Sequence, residues 1–291
     1  MTILIGIVGL LLILIILQDA FETVVLPRRV SRRFRLARMF YRSTWALCSA
    51  TARWIHATNR REYYLSYYGP LSLLFLLIIW AVGLVVGFAM LQWAFGSTLI
   101  SPEKHADFFT DLYVSGTTFI TLGLGDVIPN SAVARVLVVV EAGGGFGFLA
   151  LVIGYLPVIY QAFSRREATV AQLELRAGTP PTAAALLGWL NHDGSVQNDD
   201  QQWAEWERWF VEIEESHTSL PVLSFFRSPQ PGRSWVTSGG LILDTAALLF
   251  AAVDGPQPRQ AQITFKAGCL ALNRVYRFFN TKAGTEPTSL L

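Results

Sequence analysis

The chain has 291 residues, of which 52% are hydrophobic and only 15% charged, against about a quarter charged in an average soluble domain. This composition argues against a wholly soluble protein and places much of the chain in a membrane. The net charge of +2 conceals an asymmetry: residues 1–164 carry 12 Lys/Arg and 8 Asp/Glu, whereas residues 165–291 carry 11 and 13.

The N-terminal run Ile3–Leu17 is apolar but short. A helix crosses a ~30 Å hydrocarbon core with about 20 residues, so this run spans only if it continues through Asp19 and Glu22 to about Leu26. The other reading is a helix lying at the interface. The apolar start, without a basic flank or a small-residue cleavage site, argues against a removed signal peptide.

Between Arg28 and Glu62 stand ten arginines and one acid. Such clusters beside apolar spans lie on the cytoplasmic side, held there by the positive-inside bias and anionic headgroups, here near Arg28–Arg42. Flanking spans argue against nucleic acid as the partner. The stretch is expected to hold amphipathic helix on the inner surface, with Trp45, Trp54 and Tyr63 among the headgroups. Cys48 and Cys269 are expected to be free, buried thiols.

Leu71–Phe95 is a span without a charge, and Ala132–Ala162 is another whose charges are Arg135 and Glu141. Between them Asp107–Thr118 is amphipathic, preceded by a Ser101-Pro102 turn, with Asp107 placed to cap a helix. Twelve residues are too few to cross, so this predicts a re-entrant helix. With the arginines inside, the N-terminus and residues 107–130 face outward. The chain after Arg165 and Arg166 then returns to the cytosol.

Directly after the short helix comes Thr121-Leu122-Gly123-Leu124-Gly125-Asp126. Consecutive carbonyls face one axis only if φ alternates between ordinary and left-handed values, and Gly123 and Gly125 supply positions where that is easy. Carbonyls so placed can replace the water around a dehydrated cation. Thr121 can add its hydroxyl at the inner end. The side chains of Leu122 and Leu124 are expected to pack behind, and Asp126 marks the outer mouth.

The helix, the hexad, the flanking spans and Pro129 after the hexad together resemble the pore module of the potassium-channel family, whose filter reads T-V-G-Y-G-D. The resemblance covers about residues 70–162, and Arg135 and Gly145 extend it by matching an arginine and a hinge glycine of the family's inner helix. It implies an all-α membrane protein acting as a homotetramer, with K+ held at Thr121, Leu122, Gly123 and Leu124 and no organic cofactor. Two residues depart from the family. Leu124 replaces a tyrosine that donates a hydrogen bond behind the filter, and Ile120 replaces a threonine. Potassium selectivity therefore stands beside weak selectivity among monovalent cations, and beside a membrane-anchored signalling or scaffold protein with a silent pore.

Glu141 lies deep in the last span, where an acid is expensive. It is expected to reach Ser115, Thr117 or Thr118 behind the filter and replace the lost bracing; the other reading is a rim carboxylate paired with an arginine. Gly145 sits among Gly143, Gly144 and Gly147, either as a hinge or as a close-packing point. Phe146, Leu149, Ile153 and Pro157 share a stripe expected to line the cavity, with a dewetting gate from Ile153 to Tyr160.

After Arg166 the sequence reads as a helical cytosolic domain, giving segments 1–26, 27–69, 70–163 and 164–291. Trp203, Trp206 and Trp209 form a stripe suited to a core or subunit interface, less to a ligand box. Leu241–Val253 is too short to span and is expected to be buried, with Asp244 paired to Arg227 or Arg233. His217 is expected at a solvated helix end, or with Glu214 and Glu215 as a pH or metal site. No nucleotide fingerprint, metal spacing or nucleophile–base pair points to an enzyme. The ligand that opens such a pore is not legible.

Overall fold

The computed structural model describes residues 2–26, 36–96, 99–100, 107–191, 199–230, 232–253 and 258–279. The arginines from Arg28 to Arg35 and the Ser101-Pro102 turn lie outside these residues. The described chain forms helices α1 (Thr2–Val24), α2 (Leu36–Ala52), α3 (Thr58–Ser66), α4 (Tyr68–Ala94), α5 (Phe108–Phe119), α6 (Ala132–Ala177), α7 (Ala183–Leu190), α8 (Asp200–Ser219), α9 (Trp235–Ala252) and α10 (Arg259–Phe279). Two short strands, β1 (Leu99–Ile100) and β2 (Ile128–Pro129), pair antiparallel, Leu99 with Pro129 and Ile100 with Ile128. Contacts divide the chain into two units, Met1–Cys48 with Pro70–Val158, and Ser49–Gly69 with Ile159–Leu291.

In the first unit, α1, α4 and α6 are each long and apolar enough to cross a membrane. Helix α1 lies antiparallel along α4 through small residues. A Cβ at Gly6 would meet Ala94, at Gly9 the Gly87 carbonyl, at Gly87 the Ile13 side chain and at Gly83 the Ile16 side chain. Gly83 and Gly87 are four apart, the spacing that lets apolar helices approach closely where water cannot drive them together. One polar contact crosses this pair: the Trp80 indole donates to Asp19 Oδ2 at 3.0 Å. The same carboxylate accepts from the Ala37 amide at 3.1 Å, at the start of α2. An acid inside a membrane helix is tolerable with such donors, and Asp19 is 5% exposed. The contacts between α1 and α4 run from Gly6 to Asp19.

The second unit is a helical bundle. Trp203, Trp206, Trp209 and Phe210 of α8 are buried with Leu186 and Leu190 of α7, Ile242 and Leu249 of α9, and Val275 of α10. The tryptophan stripe is therefore core. Helix α9 has the length and composition of a span, and its apolar face fills this core.

Several expectations fail here, each for a local reason. The second half of the basic segment, Ser49–Gly69, groups with the C-terminal unit, where the Arg227 guanidinium pairs with Glu62 and the Tyr68 ring meets Phe225 at 5.3 Å. Arg227 and Arg233 do not reach Asp244, because Arg233 pairs with Glu174. Asp244 is itself exposed, so its charge stays hydrated without them. Cys269 is exposed and Cys48 half-buried, rather than both buried, although both thiols are free. Arg166 is 3% exposed and donates to the carbonyls of Leu223 at 3.0 Å and Phe226 at 2.7 Å, with Glu167 beside it.

His217 is 1% exposed instead of solvated. Its Nε2 lies 3.1 Å from Arg166 Nη1, and its Nδ1 lies 3.0 Å from the Ile213 carbonyl. An arginine only donates, so Nε2 accepts and the ring is neutral with its proton on Nδ1. Burial, and then the Arg166 charge, push its pKa down to about 3. Glu214 turns away to pair with Arg274, and among the described residues no cluster of three His, Cys, Asp or Glu stands ready for a metal.

Candidate ion-conduction site

The site begins at the N-terminus of α5. The Asp107 carboxylate accepts from the Thr110 amide at 2.9 Å while Thr110 Oγ1 accepts from the Asp107 amide at 3.3 Å, a reciprocal capping box. These bonds hold the Asp107 carboxyl below its ordinary pKa, chiefly through the Thr110 amide. The helix then runs twelve residues to Phe119, about 18 Å at 1.5 Å per residue. That is well short of a membrane crossing.

At its C-terminus the chain turns directly into the glycine-rich hexad. Residues Thr121, Gly123 and Gly125 have φ of 57°, 54° and 75°, so every second residue is left-handed. Glycine was expected at two of these positions. The third falls on a threonine, whose branched side chain makes the conformation cost roughly 1–2 kcal/mol. The turn back from α5 fixes it there: Thr121 N donates to Thr118 O at 3.0 Å, and Leu122 N to Thr117 O at 2.8 Å. Gly123 N also reaches Thr117 O, at 3.3 Å. The amides of the segment thus close off the end of α5. Among the described residues no donor reaches the carbonyls of 121–125. Alternating left-handed residues with uncommitted carbonyls are the backbone condition for a row of oxygen ligands.

The outer end is tied down by a residue the sequence reading missed. Tyr113 Oη donates to Asp126 Oδ2 at 2.8 Å, joining α5 to the end of the hexad across 13 positions. The β1–β2 pair follows immediately and holds the exit loop. Leu122 and Leu124 are 55% and 60% exposed in the single chain, so nothing within it packs behind them as expected.

Behind α5 lies Glu141 of α6, fully buried. Its Oε1 is hydrogen-bonded to Ser115 Oγ, and its Oε2 lies 3.4 Å from Gln92 Nε2 of α4. Ser115 Oγ also donates to the Val85 carbonyl of α4 at 2.7 Å. One polar node thereby joins the three helices of the module. Of the three hydroxyl partners named from sequence, Ser115 makes this contact. The Thr117 hydroxyl instead turns to the carbonyls of Tyr113 and Val114, and Thr118 contributes its own carbonyl to the turn. Arg135 does not pair with Glu141; its Nε lies 3.4 Å from the Pro129 carbonyl.

Gly145 is where α6 presses on the end of α5. A Cβ there would stand 1.9 Å from the Phe119 carbonyl oxygen, whereas at Gly143, Gly144 and Gly147 it would meet nothing within 4 Å. The Phe119 and Phe148 rings pack at 5.8 Å beside this contact. One stripe of the following turns of α6 is bare. Phe146, Leu149 and Ile153 are 67%, 54% and 63% exposed, and the helix continues through Pro157. Only 11% of the best span window of α6 is buried within the chain, against 28% for α1 and 44% for the window in α3–α4.

The comparisons agree with this geometry. Residues 74–161 match the family model described as ion channel. A protein of Bacillus subtilis (strain 168), named uncharacterized membrane protein YdjJ, is 25% identical over 203 residues, which cover 68% of this chain and 58% of that protein. The chain thus spans less than two thirds of that relative's length. No solved structure matches significantly. Helix, left-handed segment and flanking apolar helices coincide with the residues 74–161 that match the ion channel family model.

Proposed function

We propose that four copies of this chain close a ring around one axis and pass K+ through the carbonyls of Thr121, Leu122, Gly123 and Leu124, with Asp126 at the outer mouth. The observation that carries the reading is the alternation of left-handed residues at Thr121, Gly123 and Gly125, directly after a capped half-length helix. A single chain supplies one such segment, and surrounding an ion takes several, which a closed homo-oligomer provides. The bare inner helix supports the same reading, because Phe146, Leu149 and Ile153 then face the cavity and neighbouring copies. Ile153–Tyr160 forms the constriction, and Gly145 sets the packing of inner helix against pore helix. The Glu141–Ser115–Gln92 node supports the filter from behind.

The protein sits in the plasma membrane with the arginines of α2 on the inner, anionic surface and the C-terminal unit in the cytosol. Leu124 favours a second reading, weak selectivity among monovalent cations, because leucine offers no hydroxyl to brace the filter. Flux from purified protein in liposomes separates the two. Potassium flux that barium blocks, with no sodium flux, is the expected result. Equal flux of both ions would establish the weakly selective pore. Flux of neither ion across a range of conditions would leave the C-terminal unit as the working part.

A further inference from the structure

Helix α10 turns one stripe to solvent. Arg259, Ile263, Lys266, Leu270, Asn273 and Arg277 recur at steps of four and three, and all six are exposed. Such steps keep residues on one side of a helix, so they form a single ridge about 27 Å long at 1.5 Å per residue. The ridge is basic, and α10 contains no acid. Ile263 and Leu270 stay 39% and 42% exposed on it, while Ala261, Ala271 and Val275 on another side of the helix fill the core. Helix α8 carries the counterpart. Gln201, Glu205, Arg208, Glu212 and Glu215 repeat the four–three spacing and are all exposed, with Val211 beside them at 53%. This second ridge is acidic, three carboxylates against one arginine. The two helices already join along a different seam: Gln260 donates to Glu207 at 2.6 Å, Thr264 Oγ1 donates to the Trp203 carbonyl at 2.7 Å, and Arg274 pairs with Glu214. Among the described residues, no ion pair joins Glu205 or Glu212 to Arg259, Lys266 or Arg277.

We propose that the basic ridge of α10 docks on the acidic ridge of α8 in a second copy of this chain. The contact rests on the closed ring of copies and adds the C-terminal unit to what holds that ring. A cyclic assembly joins each copy to the next through two different surfaces, and a basic and an acidic ridge on one chain are such a pair. Ridges with this spacing interdigitate as packed helices do, which places Ile263 and Leu270 in the seam and the charges along its edges. An anionic bilayer would attract α10 but repel the acidic ridge of the helix packed against it, so a partner that carries acids fits α10 better. At roughly 10 Å wide the ridge covers on the order of 300 Å² per copy, short of the about 1,000 Å² that a self-sufficient interface clears. The docking therefore acts where the membrane unit already holds copies at a high effective concentration.

Cross-linking of the full chain in nanodiscs tests the docking. Arg208→Cys and Asn273→Cys place one thiol on each ridge, in a background where Cys48 and Cys269 are serine, and a short bismaleimide joins thiols that lie close. The expected result is a ladder of covalent oligomers up to four chains, whereas Val236→Cys on α9 in place of Asn273→Cys gives none. Lys266→Glu with Arg277→Glu weakens the ladder about tenfold, and adding Glu205→Lys with Glu212→Lys restores it, which a merely misfolded variant would not do. Light scattering and potassium flux on the same samples separate the two levels. Chains that assemble and pass potassium yet give no ladder overturn the docking and spare the ring, whereas chains that stay monomeric overturn both. A ladder indifferent to the charge reversals also overturns the docking. So does protection of position 273 from a polar maleimide in phosphatidylserine discs but not in phosphatidylcholine discs, because a lipid surface then covers α10.

Discussion

Replacing Gly145 by alanine tests how the inner helix sets the filter. The added carbon would lie 1.9 Å from the Phe119 oxygen, 2.7 Å from its carbonyl carbon and 3.0 Å from its Cα. Relieving the first contact to 3.0 Å takes a displacement of at least 1.1 Å (3.0 − 1.9). The obstacle is main chain, so no side chain can swing aside. Phe119 ends α5, and Thr121, two residues on, already holds a left-handed φ of 57°. Overpacking of this kind costs about 1–3 kcal/mol, and alanine's better helix propensity returns up to about 1 kcal/mol. With that full return the net loss is up to about 2 kcal/mol, a melting temperature lower by up to roughly 8 °C. Because the displaced backbone leads straight into the filter, potassium flux in liposomes falls at least tenfold. Alanine at Gly144 or Gly147, where a Cβ meets nothing within 4 Å of this chain, leaves flux within twofold. A Gly145→Ala protein with wild-type melting and wild-type flux would refute the packing argument.

Glu141→Leu strands the Gln92 amide in an apolar setting at about 1–3 kcal/mol and unties Ser115, which keeps the Val85 carbonyl; flux recordings should show faster inactivation, and Glu141→Gln, which can still bond to both, an intermediate rate. Unchanged kinetics in both variants would remove Glu141 from filter support. Asp19→Leu deprives the Trp80 indole and the Ala37 amide of their acceptor, and a melting temperature lower by several degrees is expected, with Asp19→Asn closer to wild type. For His217 the sign is set by its depressed folded-state pKa of about 3. Unfolded, the ring takes up a proton near pH 6.5, so the stability of the C-terminal unit is full above that pH and declines as pH falls toward 3. At pH 5 the loss is about 2 kcal/mol, at 1.36 kcal/mol per pH unit. Hydrogen exchange of α8 amides measures it in the full chain, and a pH-independent protection pattern would contradict the neutral buried ring.

Local pattern was readable wherever the chain's chemistry acts over a few residues. The cap at Asp107, the half-length helix, the hexad and the apolar spans all follow from spacing within one element. Contacts between distant positions were not readable. Asp19 and Trp80 are 61 residues apart, Arg166 and His217 are 51 apart, and nothing in either segment names the other. Two carbonyls of the 221–226 turn and the Trp235 ring, 5.7 Å from its guanidinium, give Arg166 a buried place that no local pattern announces. His217 is neutral chiefly because it is buried, with the Arg166 charge adding to that. At Thr121 the motif indicated an oxygen ligand, while its left-handed backbone follows from the way α5 ends. Ser115 was one of three candidate partners for Glu141, and only packing against α4 distinguishes it from Thr117.

The most direct test of conduction through residues 121–125 is single-channel recording in planar bilayers of the wild type beside Gly123→Ala. Gly123 has a φ of 54° and open space around its Cα, so alanine there strains the filter backbone without clashing within the chain. The account predicts a potassium current in the wild type and none in the variant, at equal oligomer size and equal incorporation. A variant current of wild-type size and selectivity would contradict it, because the ions would then be passing somewhere other than the Thr121–Gly125 segment.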